Sequence, residues 1–188
     1  VKSEEEIARL AQAAQIAEEA ARVSLSQASP GKSFLELSHL FRSEVAGQGA
    51  DLDHFAYSPR GLGIATEPEY RLAADDVMYV DFGCVSGHYC SDSGLTLALR
   101  PLEGEWRRRY AALRLCIEAG VAAMRPGARA SQVHHAMKDF LKAEGITASF
   151  PHGHGVGLEI RDYPVLVPDT GLRVRDDCVD ETADLPLE

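Results

Sequence analysis

The sequence predicts an α/β (α+β) fold made of pseudo-twofold helix-helix-strand repeats, with the second half incomplete. Three observations predict it. A pair of amphipathic helices broken by Pro-Gly occurs twice, at an offset of 96 residues. Between the copies, strand-forming residues run through a Ser-Gly turn signal and resume. The composition, 45% hydrophobic and 26% charged over 188 residues, suits one ordinary globular domain with a sizeable core.

The first copy opens with Ser3 and the acidic turn Glu4, Glu5 and Glu6, followed by Ile7, Leu10, Ala14, Ile16, Ala17, Ala21 and Leu25 on helical spacing. A long amphipathic helix is expected over residues 3–28. The break Ser29–Ser33 precedes a second helix at 34–46, ended by Gly47 and Gly49. Short strands are expected at His54–Ser58 and Leu62–Thr66. Helices at 103–124 and 131–143 then repeat the pattern. Pro30-Gly31 falls on Pro126-Gly127, Leu37 on Val133, Phe41 on Met137, Val45 on Leu141 and Gly49 on Gly145. Such repeats predict two related halves with a site between them; chance similarity between amphipathic helices is the alternative. Only 43 residues follow Gly145, fewer than the 50 that run from Gly49 to Leu99.

Residues 76–99 read as a β-hairpin: Val77, Tyr79, Val80 and Phe82 favour strand, and Tyr89, Leu95, Thr96, Leu97 and Leu99 resume the pattern. A two-residue loop at Ser86-Gly87 makes Asp81 and Asp92 direct cross-strand partners. Facing like charges destabilise a ladder, and no Lys or Arg lies between Arg71 and Arg100. One or two divalent cations between the carboxylates resolve the repulsion, since carboxylates suit hard metals. Solvation of both groups at an exposed tip is the alternative.

A second informative stretch is Phe150–Pro164, in which Gly153, Gly155 and Gly157 alternate with His152, His154 and Val156. Alternating glycine permits close approach of backbone or ligand, and beside an Asp-Asp hairpin it favours His154 as a metal-binding imidazole. His39, His134 and His135 read as ordinary surface or boundary residues. His88 is a weak candidate, and Glu159 reads as a solvated strand residue.

The formal charge of −10 argues against nucleic acid and anionic membrane as partners, which require a basic face. Cys84, Cys90, Cys116 and Cys178 show no C-x-x-C spacing, so free thiols in a reducing, cytoplasmic compartment are expected. No stretch approaches the ~20 apolar residues of a membrane span, and the acidic start is not a signal peptide. The first residue is Val, so trimming from a larger protein is expected.

Asp81 and Asp92 in "VDFGCVSGHYCSDSGLT", followed by "GHGVGLEIRDYP", resemble the pita-bread metallopeptidases: methionine aminopeptidase, prolidase and other Xaa-Pro peptidases, with creatinase as a metal-free relative. The resemblance runs from the opening helix to Pro164 and implies a pita-bread fold. It also implies that Asp81 chelates one metal, Asp92 bridges two and His154 binds the second. Thr96 matches the threonine that follows the second Asp. The departures bear on activity. The family completes its site with two glutamates on strands after a "PGM"-like turn, and this chain stops at "ADLPLE", so residues 1–188 are expected to be a single, C-terminally truncated catalytic domain. Glu181, Asp184 and Glu188 do not replace those glutamates. Arg161 stands where a second histidine is usual, Glu69 where Xaa-Pro peptidases carry the histidine of "PHY", and Leu95 where an arginine is common.

The resulting expectation is a metal-dependent hydrolase that cuts a peptide bond near the N-terminus of a small peptide, using two divalent ions (Mn, Co, Fe or Zn). Asp81, Asp92 and His154 would be the ligands. His154 and Arg161 would serve catalysis, the latter as a fixed cation for an oxyanion, and Glu69 with Arg161 would bind a polar or zwitterionic substrate. Arg161 paired with Asp162 and chemically idle is the alternative. This chain alone is expected to hold metal weakly and to be inactive or nearly so, and exposed strand edges predict a homodimer or aggregation. A non-catalytic peptide-binding protein on the same fold, or a creatinase-like C–N hydrolase without metal, are the competing readings.

Overall fold

The computed structural model describes residues 2–58, 69–125, 127–147 and 153–168. Among them the chain forms two compact units, one of residues 2–101 with 156–160, the other of 102–155 and the residues from 161 onward. The expected strand Leu62–Thr66 lies outside the described residues.

In the first unit, α1 (Glu4–Leu25) and α2 (Phe34–Gly47) cover one face of an antiparallel sheet. Each helix starts on the capping box its sequence announces. Ser3 N–H donates to Glu6 Oε2 at 2.8 Å and Glu6 N–H to Ser3 Oγ at 3.3 Å; Ser33 and Glu36 repeat the pair at 2.9 and 3.3 Å. The strands are β1 (Asp51–Ser58), β2 (Val77–Ser86), β3 (Tyr89–Cys90) and β4 (Ser93–Ala98), with β2 central and β1 on one side of it, β3 and β4 on the other. Strand alternation sends Met78, Val80, Phe82 and Cys84 into the core against Ala13, Ile16, Ala17, Ala20 and Ala21 of α1. Phe41 is fully buried against Phe55 and Phe82, ring centroids 4.7 and 5.8 Å away. Burial of such a side chain contributes about 1.5–3 kcal/mol.

The hairpin register differs from the sequence expectation. The loop is Gly87-His88, not Ser86-Gly87, because both loop residues have positive φ, +55° and +74°. Hairpin loops of this kind match the strand twist; glycine takes the first position without cost, and histidine is among the residues that tolerate the second. Every pair shifts by two residues, so Asp81 faces Gly94 rather than Asp92. A two-residue shift preserves parity, and Asp81 keeps its place on the face away from the helices.

In the second unit, α3 (Gly104–Ala123) packs on α4 (Ala130–Ala143), and β5 (His154–Gly155) pairs with β6 (Asp162–Val165). The internal repeat holds at matching positions. Leu37, Phe41 and Val45 are buried in α2, and Val133, Met137 and Leu141 are buried in α4. Gly31 and Gly127 share left-handed φ of +88° and +83°, as Gly49 and Gly145 do at +76° and +70°. The copies part at the first helix: Ala17 and Ala21 lie under the sheet, whereas their counterparts Leu113 and Ile117 are 47% and 59% exposed. His134, expected at a boundary, is buried and meets the Leu166 carbonyl through Nδ1 at 3.0 Å.

Candidate metal centre

The open face of the sheet carries the chemistry. Asp81 reaches it by alternation from the buried Val80 and Phe82. Asp92 reaches it from the break between β3 and β4, where Ser91 is fastened to β2: its N–H donates to the Cys84 carbonyl at 2.8 Å, and its Oγ accepts from Cys84 N–H at 3.0 Å. A third residue joins them. β1 pairs with β2 as Leu52↔Cys84, then as His54↔Gly83, leaving Asp53 as the extra residue of a bulge. His54 keeps unbroken register with Phe55 and Tyr57, so alternation from these core-facing residues puts it on the face of Asp81 and Gly83, and the bulge lets Leu52 on its other side face the core as well.

The three side chains converge within one unit. One ligand atom from each of His54, Asp81 and Asp92 lies within 4.8 Å of the other two. His54 Nε2 is 3.3 Å from Asp81 Oδ1 and 3.8 Å from Asp92 Oδ1. The side chains are 21%, 16% and 25% exposed, so water screens their charges only in part. On its other edge, His54 Nδ1 is 2.7 Å from Asp53 Oδ2. Burial pushes the imidazole down, but the hydrogen bonds and charges of Asp81 and Asp53 outweigh it and hold the ring above its ordinary range. Tyr79 lies across Gly94 on the same face and hydrogen-bonds Asp81; burial, then the charge of Asp81, pushes its hydroxyl well up.

This donor set fits a divalent ion. Ligand bonds of about 2.0–2.2 Å in tetrahedral geometry separate donors by roughly 3.3–3.6 Å, and the 3.3 and 3.8 Å separations found are close to that range. Carboxylate oxygens and an imidazole nitrogen are ligands for Mn, Co, Fe or Zn.

The remaining sequence candidates are placed as follows. Thr96 is exposed on β4 opposite Tyr79. Glu69 is exposed and borders residues outside the described set. His154, half-buried in the second unit, meets its neighbour's carbonyl, Gly155 O, through Nδ1 at 2.8 Å. A Cβ on Gly155 would stand 2.4 Å from the Tyr163 carbonyl, the close backbone approach that alternating glycine suggests. Arg161 is exposed, and Asp162 Oδ1 accepts from Tyr163 N–H at 2.8 Å. His152, Glu181, Asp184 and Glu188 lie outside the described residues. Sequence reasoning missed His54, Asp53 and Tyr79. Alternation with Phe55 and Tyr57 across the expected strand His54–Ser58 was the available signal for His54, whereas the bulge leaves Asp53 without one.

The model of metallopeptidase family M24 matches residues 8–180. The chain belongs to this family. Among M24 relatives, the uncharacterized peptidase YqhT of Bacillus subtilis is 30% identical over 209 aligned residues, covering 95% of this chain. Solved structures agree on the fold. A Xaa-Pro dipeptidase from Bacillus anthracis matches 88% of this chain at 30% identity and a TM-score of 0.79. Prolidase from Pyrococcus furiosus matches the same share at 25% and 0.78. The chain spans 59% of YqhT, 49% of the B. anthracis protein and 51% of the P. furiosus protein. The pita-bread fold with its repeated halves is therefore the fold of this chain. No described helix is long and apolar enough to cross a membrane.

Proposed function

We propose that this chain carries the metal-holding half of a peptidase that cleaves a peptide bond near the N-terminus of a small peptide, with Xaa-Pro dipeptides as the first substrates to try. The observation that carries the reading is the convergence of the Asp81 and Asp92 carboxylates on one open face of an M24 chain. Asp81 and Asp92 hold the ions, with His154 carried over from the family resemblance as a further ligand candidate. When bound, a pair of divalent cations supplies Lewis acidity and an activated water for attack on a carbonyl. Tyr79 donates a hydrogen bond to Asp81 and orients its carboxylate. Arg161 offers a fixed positive charge for an oxyanion or a substrate carboxylate, and Glu69 a negative one for a substrate amine. The names of the solved relatives support the Xaa-Pro choice.

The test is release of free proline from Xaa-Pro dipeptides by the protein that carries this chain, with Mn2+ or Co2+ supplied. Turnover lost in Asp92→Ala supports the reading. Metal bound without turnover of any dipeptide would overturn it in favour of non-catalytic peptide binding, which the unusual Glu69, Leu95 and Arg161 suit.

A further inference from the structure

The position of His54 is hard to account for as packing. It sits on the solvent face of the sheet, one residue before the core-facing Phe55 and directly after the bulged Asp53. Its Nε2 points between two carboxylates without settling on either: 3.3 Å to Asp81 is a long hydrogen bond and 3.8 Å to Asp92 is none. The short contact is on the far edge, Nδ1 to Asp53 at 2.7 Å. An imidazole that donates Nδ1–H to a carboxylate presents the Nε2 lone pair, the arrangement found behind metal-ligating histidines. Gly83 completes the seat. A Cβ there would stand 2.6 Å from His54 Cε1 and 3.0 Å from Nδ1, so the ring lies over the glycine and reaches toward Asp92.

Resting on the metallopeptidase reading, we propose that His54 is itself a metal ligand through Nε2, sharing an ion with Asp81 and Asp92, and that Asp53 positions it. The consequence is specific. All four residues come from β1 and the β2–β4 hairpin, so one ion is held by the first unit through two oxygens and one nitrogen. A nitrogen ligand shifts preference from Mg2+ and Ca2+ toward the first-row transition metals and zinc.

The experiment titrates the full chain with Co2+ and with Mg2+, following calorimetric heats and the visible absorption of Co2+. Wild type is compared with His54→Ala, His54→Gln, Asp53→Asn and Asp92→Ala, with circular dichroism confirming that each variant is folded. The His54 variants should lose at least about 100-fold in Co2+ affinity with an altered Co2+ spectrum, and Asp53→Asn about 10–100-fold. Mg2+ binding should change much less, so the Co2+/Mg2+ preference collapses. If both His54 variants bind Co2+ within about threefold of wild type with an unchanged spectrum while Asp92→Ala loses it, His54 is no ligand, and the metal site at the aspartates stands without it. If Asp92→Ala also binds as wild type does, the metallopeptidase reading fails and this inference with it.

Discussion

Gly83 and His54 face each other across β1 and β2, and the missing side chain of the one is the space that the ring of the other fills. A methyl at Gly83 would also stand 2.2 Å from the Ser91 carbonyl, which is backbone and cannot swing aside. Gly83→Ala should therefore cost about 2–3 kcal/mol, the upper part of the range for overpacking, read as a lower urea midpoint with unchanged slope. A variant as stable as wild type would show that Ser91 is not held where it is described.

Gly94 is a contrasting case on the same face. Its added Cβ would meet the Tyr79 ring at 2.8 Å, the end of a side chain half exposed to solvent that can move away. Gly94→Ala should cost less than Gly83→Ala yet displace Tyr79 from Asp81. Tyr79→Phe should weaken Mn2+ binding about tenfold, the lower end for loss of a supporting partner, with the thermal midpoint nearly unchanged. Equal Mn2+ affinity in Tyr79→Phe would remove Tyr79 from the site.

The unequal first helices give a paired prediction. Ala17 is fully buried under the sheet, and its counterpart Leu113 is 47% exposed. Ala17→Glu buries an unpaired carboxylate and should cost more than about 4 kcal/mol, enough to unfold a marginal domain. Leu113→Glu should stay within about 1 kcal/mol. Similar losses at both positions in chemical denaturation would mean that the α3 face is covered in solution.

Acid sensitivity has one identifiable source at the start of α3. Hydrogen bonds from Arg108 and Arg109 bring the Glu105 carboxyl down to about 2 from an ordinary 4.5. A folded-state pKa below the unfolded one means that the contribution to stability is present above the ordinary value and is lost as pH falls toward about 2. The side chain is about half exposed, so water screens the pair and the effect is small. Glu105→Gln should lower the melting temperature slightly at neutral pH and converge with wild type toward pH about 2, so that its fall below pH 4.5 is flatter. A steeper acid limb in the variant would contradict this.

Much of the architecture was legible because it rests on local, periodic signals. Ser3 and Ser33 announce their helices, and the 96-residue repeat places Leu37, Phe41 and Val45 on Val133, Met137 and Leu141, all six of them buried. Asp81 and Asp92 read correctly as a pair on one hairpin, although their direct opposition did not hold. Turn chemistry decides register, and a loop of Gly87-His88 with two left-handed residues is invisible to a rule that looks for Ser-Gly. Asp53 was hidden for a related reason: a bulge breaks the alternation by which a strand's faces are read, and nothing in Asp51–Ser58 marks where it falls, whereas the face of His54 follows from Phe55 and Tyr57. His134 misled in the opposite sense, since its backbone partner Leu166 is distant in sequence.

The most direct test of the central claim is metal content. The protein is saturated with Mn2+ or Zn2+, dialysed free of loose ions and analysed by elemental mass spectrometry beside Asp92→Ala. At least one ion per chain is expected to stay with the wild type and none with the variant. A wild type that retains no metal, or a variant that retains as much as the wild type, would contradict it.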